Sequence, residues 1–226
     1  MKKQLLASIM LIATIACTQK KATDIKPNDN IKNEATTTAT KTDPAVTNWM
    51  SWEAGLDVAA VTDANLKMPN VIIHIARMVC TPVGNAASGL VLYQPDSTKP
   101  PITMGFVSTN KAVGAYFGPK IFAGTPFEKA PVLDATIDVQ YNGTIATTKI
   151  VTGGHTYEVT ATELGSPYLM YRMAGNPMPF YQQGVELKIN KAIVKVDGKE
   201  IKTIIPPVGI SGGPGAVVSP NGVYAR

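Results

Sequence analysis

The densest group of chemically versatile side chains lies in the stretch SPYLMYRMAGNPMPFYQQG, where Met170, Met173 and Met178 alternate with Tyr168, Tyr171, Phe180 and Tyr181. Thioethers suit Cu(I), so the three methionines are a candidate soft-metal set. Aromatic rings beside Pro and Gly offer a face on which a sugar ring stacks. Packing competes with both readings, because Met fills irregular gaps in a core. Tyr168, Tyr171, Arg172, Asn176, Phe180 and Tyr181 are therefore the expected ligand-binding residues, for a glycan or a protein partner, with copper handling by the methionines as the weaker alternative.

The other reactive side chains are sparse. His74 and His155 are the only histidines and lie in separate segments. A zinc site needs three or four ligands, and neither histidine has a local companion at ligand spacing. Glu53 and Asp57 are four residues apart, as are Asp134 and Asp138, but the second pair falls on the polar side of an alternating run. No GxSxG, HExxH or GxxxxGK(S/T) pattern is present, so no catalytic residue and no cofactor is expected. An enzyme, such as a hydrolase with a site assembled from distant residues, is the alternative to a non-enzymatic binding or structural domain. Cys80 ends the apolar run NVIIHIARMVC and is expected to be a buried, inert thiol.

The amino terminus reads differently. Lys2 and Lys3 precede a short apolar run, Leu5 to Ala16, that ends in a small residue before Cys17. Positive charge, short apolar core and small exit residue are the layout of an export signal. The run is shorter than the roughly 20 residues that span a bilayer, and no transmembrane helix is expected. With Thr14, Ile15, Ala16 and Cys17 at its end, the segment resembles the signal of bacterial lipoproteins, in which the cysteine receives the lipid. That resemblance covers only these first residues. It implies removal of residues 1–16, palmitate-type acylation of Cys17, and a protein lipid-anchored in a bacterial cell envelope, facing periplasm or cell surface. The ligand would then be an envelope glycan or protein. Ordinary secretion with cleavage at the same place is the alternative.

Residues 18–47 contain eight Thr, five Lys and four acidic residues. They cannot bury enough apolar surface to offset chain entropy, so 17–47 reads as a flexible tether. Residues 48–226 remain as one domain, with 14 basic and 12 acidic groups. So even a balance is no electrostatic footprint for nucleic acid, which calls for a clustered basic face.

Within that domain the dominant period is two. Leu133 to Tyr141, Thr144 to Val151 and Thr156 to Ala161 alternate apolar with polar residues around Asn142-Gly143 and Gly153-Gly154, a three-stranded meander. Asp197-Gly198 turns a second hairpin that sets Val196 against Lys199, Lys195 against Glu200 and Val194 against Ile201. The apolar phase of its first strand changes between Ile189 and Ala192, which predicts a bulge near Asn190 and Lys191. Further strands are expected at Val71–Val79, Leu90–Gln94, Thr103–Ser108 and Ala112–Phe117, and the final NGVYAR fits an edge strand. Residues 48–66 suit either helix or strand. The expected fold class is all-β, an antiparallel two-layer β-sandwich of jelly-roll or immunoglobulin-like type.

Overall fold

The structure, a computed structural model, describes residues 49–175, 180–209 and 212–225. The expected signal, Cys17 and tether lie outside the described residues. The elements run β1 (Trp49–Ala60), β2 (Val71–Thr81), β3 (Gly84–Tyr93), β4 (Thr103–Ser108), helix α1 (Lys111–Ile121), β5 (Val132–Asp134), β6 (Thr136–Tyr141), β7 (Ala146–Thr152), β8 (His155–Leu164), β9 (Tyr168–Arg172), β10 (Tyr181–Val196), β11 (Lys199–Ile201) and β12 (Ala216–Ala225).

Among the described residues the domain is all-β with one short helix, as the alternation implies. Its ladders form a single 12-stranded sheet in the order β5-β4-β3-β2-β1-β12-β10-β8-β7-β6, with β9 and β11 also on β10. The two-sheet jelly-roll or immunoglobulin-like arrangement finds no support in this pattern. The sheet is instead nearly closed into a barrel. Its two ends are successive pieces of one chain segment: β5 pairs in parallel with β4, β6 pairs antiparallel with β7, and only Ala135 lies between them. The Ala135 amide donates to the Ser108 carbonyl at 3.2 Å, continuing the β4 side of the seam.

Hydrophobic burial explains why the sheet curls. Leu56, Ile73, Ile75, Val91, Val107, Ile150, Tyr157 and Val194 fill the barrel interior. Polar Asp138, Gln140, Lys149 and Thr160 face out from β6–β8 and are exposed. That polarity is the inverse of a transmembrane β-barrel, which turns apolar side chains outward and polar ones inward. A second core lies on the outer face of β2, β3 and β4, where Ile72, Leu90 and Phe106 meet Val113, Phe117 and Ile121 of α1.

The meander and the final hairpin appear where the turn chemistry put them. Both central residues are left-handed at Gly153-Gly154 and at Asp197-Gly198, the signature of type I′ turns. The Val196, Lys195 and Val194 partners are as expected. At Asn142-Gly143 the connection is longer, because Tyr141 pairs with Ala146. The Asn142 side chain holds that loop by accepting from the amides of Thr144 and Ile145.

Two expectations are corrected and one open reading is resolved. Ala112–Phe117 is not a strand but part of α1, capped by the Asn110 side chain accepting from the Ala112 amide at 2.9 Å. Val113, Phe117 and Ile121 recur every four residues on its buried face, a helical spacing hidden by small residues between them. Residues 49–60, left open between helix and strand, are β1. The carboxyl-terminal strand is not an edge; β12 sits centrally, between β1 and β10.

The expected phase change near Asn190 and Lys191 is present but takes another form. Ile189 and Ala192 both meet the barrel interior, and on the neighbouring strand Ala161 and Leu164 do the same. Because β8 and β10 shift together, their register is unbroken. Glu163 absorbs the change with φ at +54°, and Asn190 donates to its carbonyl at 2.8 Å.

Packing at α1 gives a direct test. Gly118 faces the Phe106 ring so closely that a Cβ would overlap it. Gly118→Ala gains helix propensity of up to about 1 kcal/mol, yet overpacking costs roughly 1–3 kcal/mol. The expected outcome is a net loss of stability in urea unfolding.

Candidate functional site

A pocket opens on the outer face of the sheet, between α1 on one side and the β9–β10 ladder on the other. Its position depends on a shared irregularity. β2 holds one residue more than β3 between Ala76 and Val79, and β12 holds one more than β10 between Val218 and Asn221. β1, between them, stays in register with both while Ala54 takes φ of +50°. All three strands therefore change faces at the same level. Met50, Trp52 and Tyr224 join the outer core, whereas Leu56, Val58 and Val218 beyond that level enter the barrel.

Asp57 and His74 are direct cross-strand partners on β1 and β2, and His74 Nδ1 is ion-paired with the Asp57 carboxylate. The imidazole stacks on Phe117 at 6.1 Å between centroids and meets the edge of Phe122 at 5.6 Å. Burial by these rings alone would depress the His74 pKa. The charge of Asp57 and its hydrogen bond outweigh that and hold it above its ordinary value.

Across the pocket Glu186 is 3% exposed. Arg172 grips it with both terminal nitrogens, at 2.9 and 2.8 Å, and Tyr168 donates its hydroxyl at 2.6 Å. Arg172 also donates to Gln182 Oε1 at 3.1 Å. Bidentate pairing of this kind fixes orientation as well as charge. Burial, the hydrogen bond to Glu186 and its negative charge push the Tyr168 pKa upward.

Between the two pairs stands Tyr224, its ring tilted against Trp52 with centroids 4.4 Å apart. The Trp52 indole donates to Ser219 Oγ, which donates onward to the Val185 carbonyl, each at 2.9 Å. Tyr224 is 6% exposed, and its hydroxyl meets no hydrogen-bonding partner among the described residues. Burial foremost, then the Asp57 charge, raises its pKa, with Arg172 opposing. Gly209, Pro214 and Gly215 close one side, leaving a cavity of about 50 Å³, several times what one water needs.

The expected site residues divide. Tyr168 and Arg172 belong to the Glu186 cluster, and Phe180 is buried against Tyr224. Tyr171 and Tyr181 stand exposed away from the pocket. Met170 lines the pocket while Met173 is exposed; Asn176 and Met178 lie outside the described residues. Among the described residues no group of three His, Cys, Asp or Glu side chains is placed to hold a metal ion. Cys80, expected to be buried, is partly exposed. His155 pairs instead with Asp197 at 2.8 Å, which with the Thr156 amide holds the Asp197 carboxyl below its usual range.

Asp57, His74, Glu186 and Tyr224 were not singled out from the sequence as one site. For the first three the available signal was a lone polar residue inside each of the apolar stretches GLDVAA, VIIHIA and GVEL. Most polar groups of the pocket already have partners within the protein. Two carboxylates line the pocket, but Glu186 is fully engaged by Arg172 and Tyr168, and Asp57 by His74. The hydroxyls of Ser88 and Ser219 are likewise engaged, by Ser108 and by the Val185 carbonyl.

The raised His74 pKa makes stability depend on pH. Its contribution is complete below about pH 6.5 and is lost as pH rises through the folded-state value. Urea unfolding of the wild type should show stability falling across that window. In Asp57→Asn burial acts alone and the slope should reverse; equal slopes would remove the pair from the account.

No family model, no curated protein and no solved structure matches the chain.

Proposed function

We propose that the chain is a non-enzymatic binding protein of a bacterial cell envelope, held by lipid on Cys17, whose pocket takes a small uncharged molecule or the neutral end of a glycan. The observation that carries this reading is the Tyr224 hydroxyl, which has no hydrogen-bonding partner among the described residues and is accessible from the pocket that Tyr224 lines. A ligand that covers this hydroxyl must supply a partner, since a polar group left unpaired on burial costs about 1–3 kcal/mol, and a ligand oxygen or amide does so. The surroundings set the ligand's charge. Glu186 is electrically compensated by Arg172, and Asp57 is paired with His74, whose charge offsets it where the imidazole is protonated, so an anionic ligand would lose its hydration with no free countercharge to meet it. Trp52, Phe117, Phe122 and Met170 supply the apolar part of the wall, as small-molecule sites generally require.

Hydrolysis is the weaker reading. It would need an available nucleophile or carboxyl beside His74, and the serine hydroxyls and the carboxylates of the lining are occupied within the protein.

Calorimetric titration with neutral mono- and disaccharides, including N-acetylated ones, tests the pocket on the chain from residue 17 carrying Cys17→Ser. Tyr224→Phe should weaken binding about three- to tenfold, the worth of one hydrogen bond, with the melting temperature unchanged. Turnover of a bound sugar, or affinity indifferent to Tyr224, would sink this reading. The anchor is tested separately by labelling cells with a fatty-acid precursor. Label should enter the wild type and be absent from Cys17→Ala.

A further inference from the structure

The pocket uses one face of β9; the other face and the free edge of that strand remain. β9 pairs with β10 along Gln182–Glu186 and, among the described residues, has no ladder on its other side. Leu169 is 86% exposed and Tyr171 63%. Free edges elsewhere are blunted by charge, with Lys199 and Glu200 on β11 and Asp138 on β6. Charge of that kind discourages strand addition. On β9 the sole charged residue, Arg172, is turned to Glu186, leaving the outward positions apolar.

We propose that β9 pairs antiparallel with β9 of a second copy of this chain, about a two-fold axis through Met170. The register is self-complementary. Leu169 then lies opposite Tyr171 of the second copy, an aliphatic-aromatic pair of the kind that stabilises adjacent strands. Tyr168 lies opposite Arg172 of the second copy, so no like charges meet; a parallel in-register pairing would bring the two arginines together. Pro167, lacking an N–H, ends the ladder opposite Met173.

Other occupants fit less well. A lipid surface would cover Leu169 and Tyr171 but leave the backbone groups of an open edge unpaired, which hydrocarbon does not tolerate. The chain's own residues 18–47 carry only Ile25, Ile31 and Val46 as large aliphatics, never two positions apart, and so match no alternating face.

Sedimentation velocity on the unlipidated Cys17→Ser chain from residue 17 reads the result. The expected mass is twice that of the chain, falling to the single mass in Leu169→Lys and in Tyr171→Lys, with near-ultraviolet circular dichroism unchanged. Exposed Ile145, on the β6–β7 loop, serves as control: Ile145→Lys should stay dimeric. In a Cys80→Ser background, mixing Leu169→Cys with Tyr171→Cys chains should give a disulfide-linked pair, and Leu169→Cys alone should not. A chain monomeric at every concentration, a dimer that survives Leu169→Lys, or a monomer that instead captures an added extended peptide would each overturn the proposal.

Discussion

Pleated strands present their side chains alternately to two faces, and one added residue exchanges those faces for everything beyond it. Inserted into a single strand, such a residue would carry half of that strand's apolar set out of the core. Here β2, β1 and β12 change together, and β3 and β10 on either side absorb the mismatch as register shifts. The barrel interior stays apolar below that level. Above it, Trp52 and Tyr224 are delivered to the outer face beside His74 and Glu186. Ala54 bears the local strain, since left-handed backbone costs a residue with a Cβ about 1–2 kcal/mol, and the cores on both faces hold it there.

The electrostatics of the pocket rest on the same geometry. Charges taken out of water lose several kcal/mol each even after relaxation, as a rough figure, so they persist only where partners are already aligned. Cross-strand register supplies that alignment for Asp57 and His74, and the β9–β10 ladder supplies it for Arg172, Gln182 and Glu186. Groups matched in this way hold an adjacent cavity to a fixed shape. Tyr224 is the exception among them, positioned by Trp52 and Phe180 through its ring and left open at its hydroxyl.

Local features of the sequence were legible, and distant ones were not. Gly153-Gly154 and Asp197-Gly198 encode their turns in the residues themselves, so those hairpins could be read with their register. α1 escaped because Gly114 and Gly118, needed for close approach to Ser108 and Phe106, interrupt its apolar stripe. A single curled sheet in place of two layers depends on β5 and β6 pairing with strands at opposite ends of the order, which no local pattern records. Tyr168 and Arg172 were chosen for their aromatic neighbourhood and belong to the site through Glu186. Tyr171 comes from the same stretch but falls on the other side of β9, a distinction that alternation around Met170 already contained, whereas Tyr181 opens β10 next to the pocket-lining Gln182. Asp57, His74 and Tyr224 are linked only by pairings across β1, β2 and β12, the last of them separated from the first by most of the domain.

That separation has a kinetic side. β1 and β12 are neighbours in the middle of the sheet, so a chain delivered amino end first cannot join the β2 side of the sheet to the β10 side until β12 arrives. Long-range pairing of this kind folds slowly and leaves apolar edges open in the meantime. The two half-sheets can form, yet each waits with a bare central strand, and the pocket has no Tyr224 or Ser219. Completion of the binding surface and completion of the sheet are thus one event, and a chain stopped short of Ala216 would have neither.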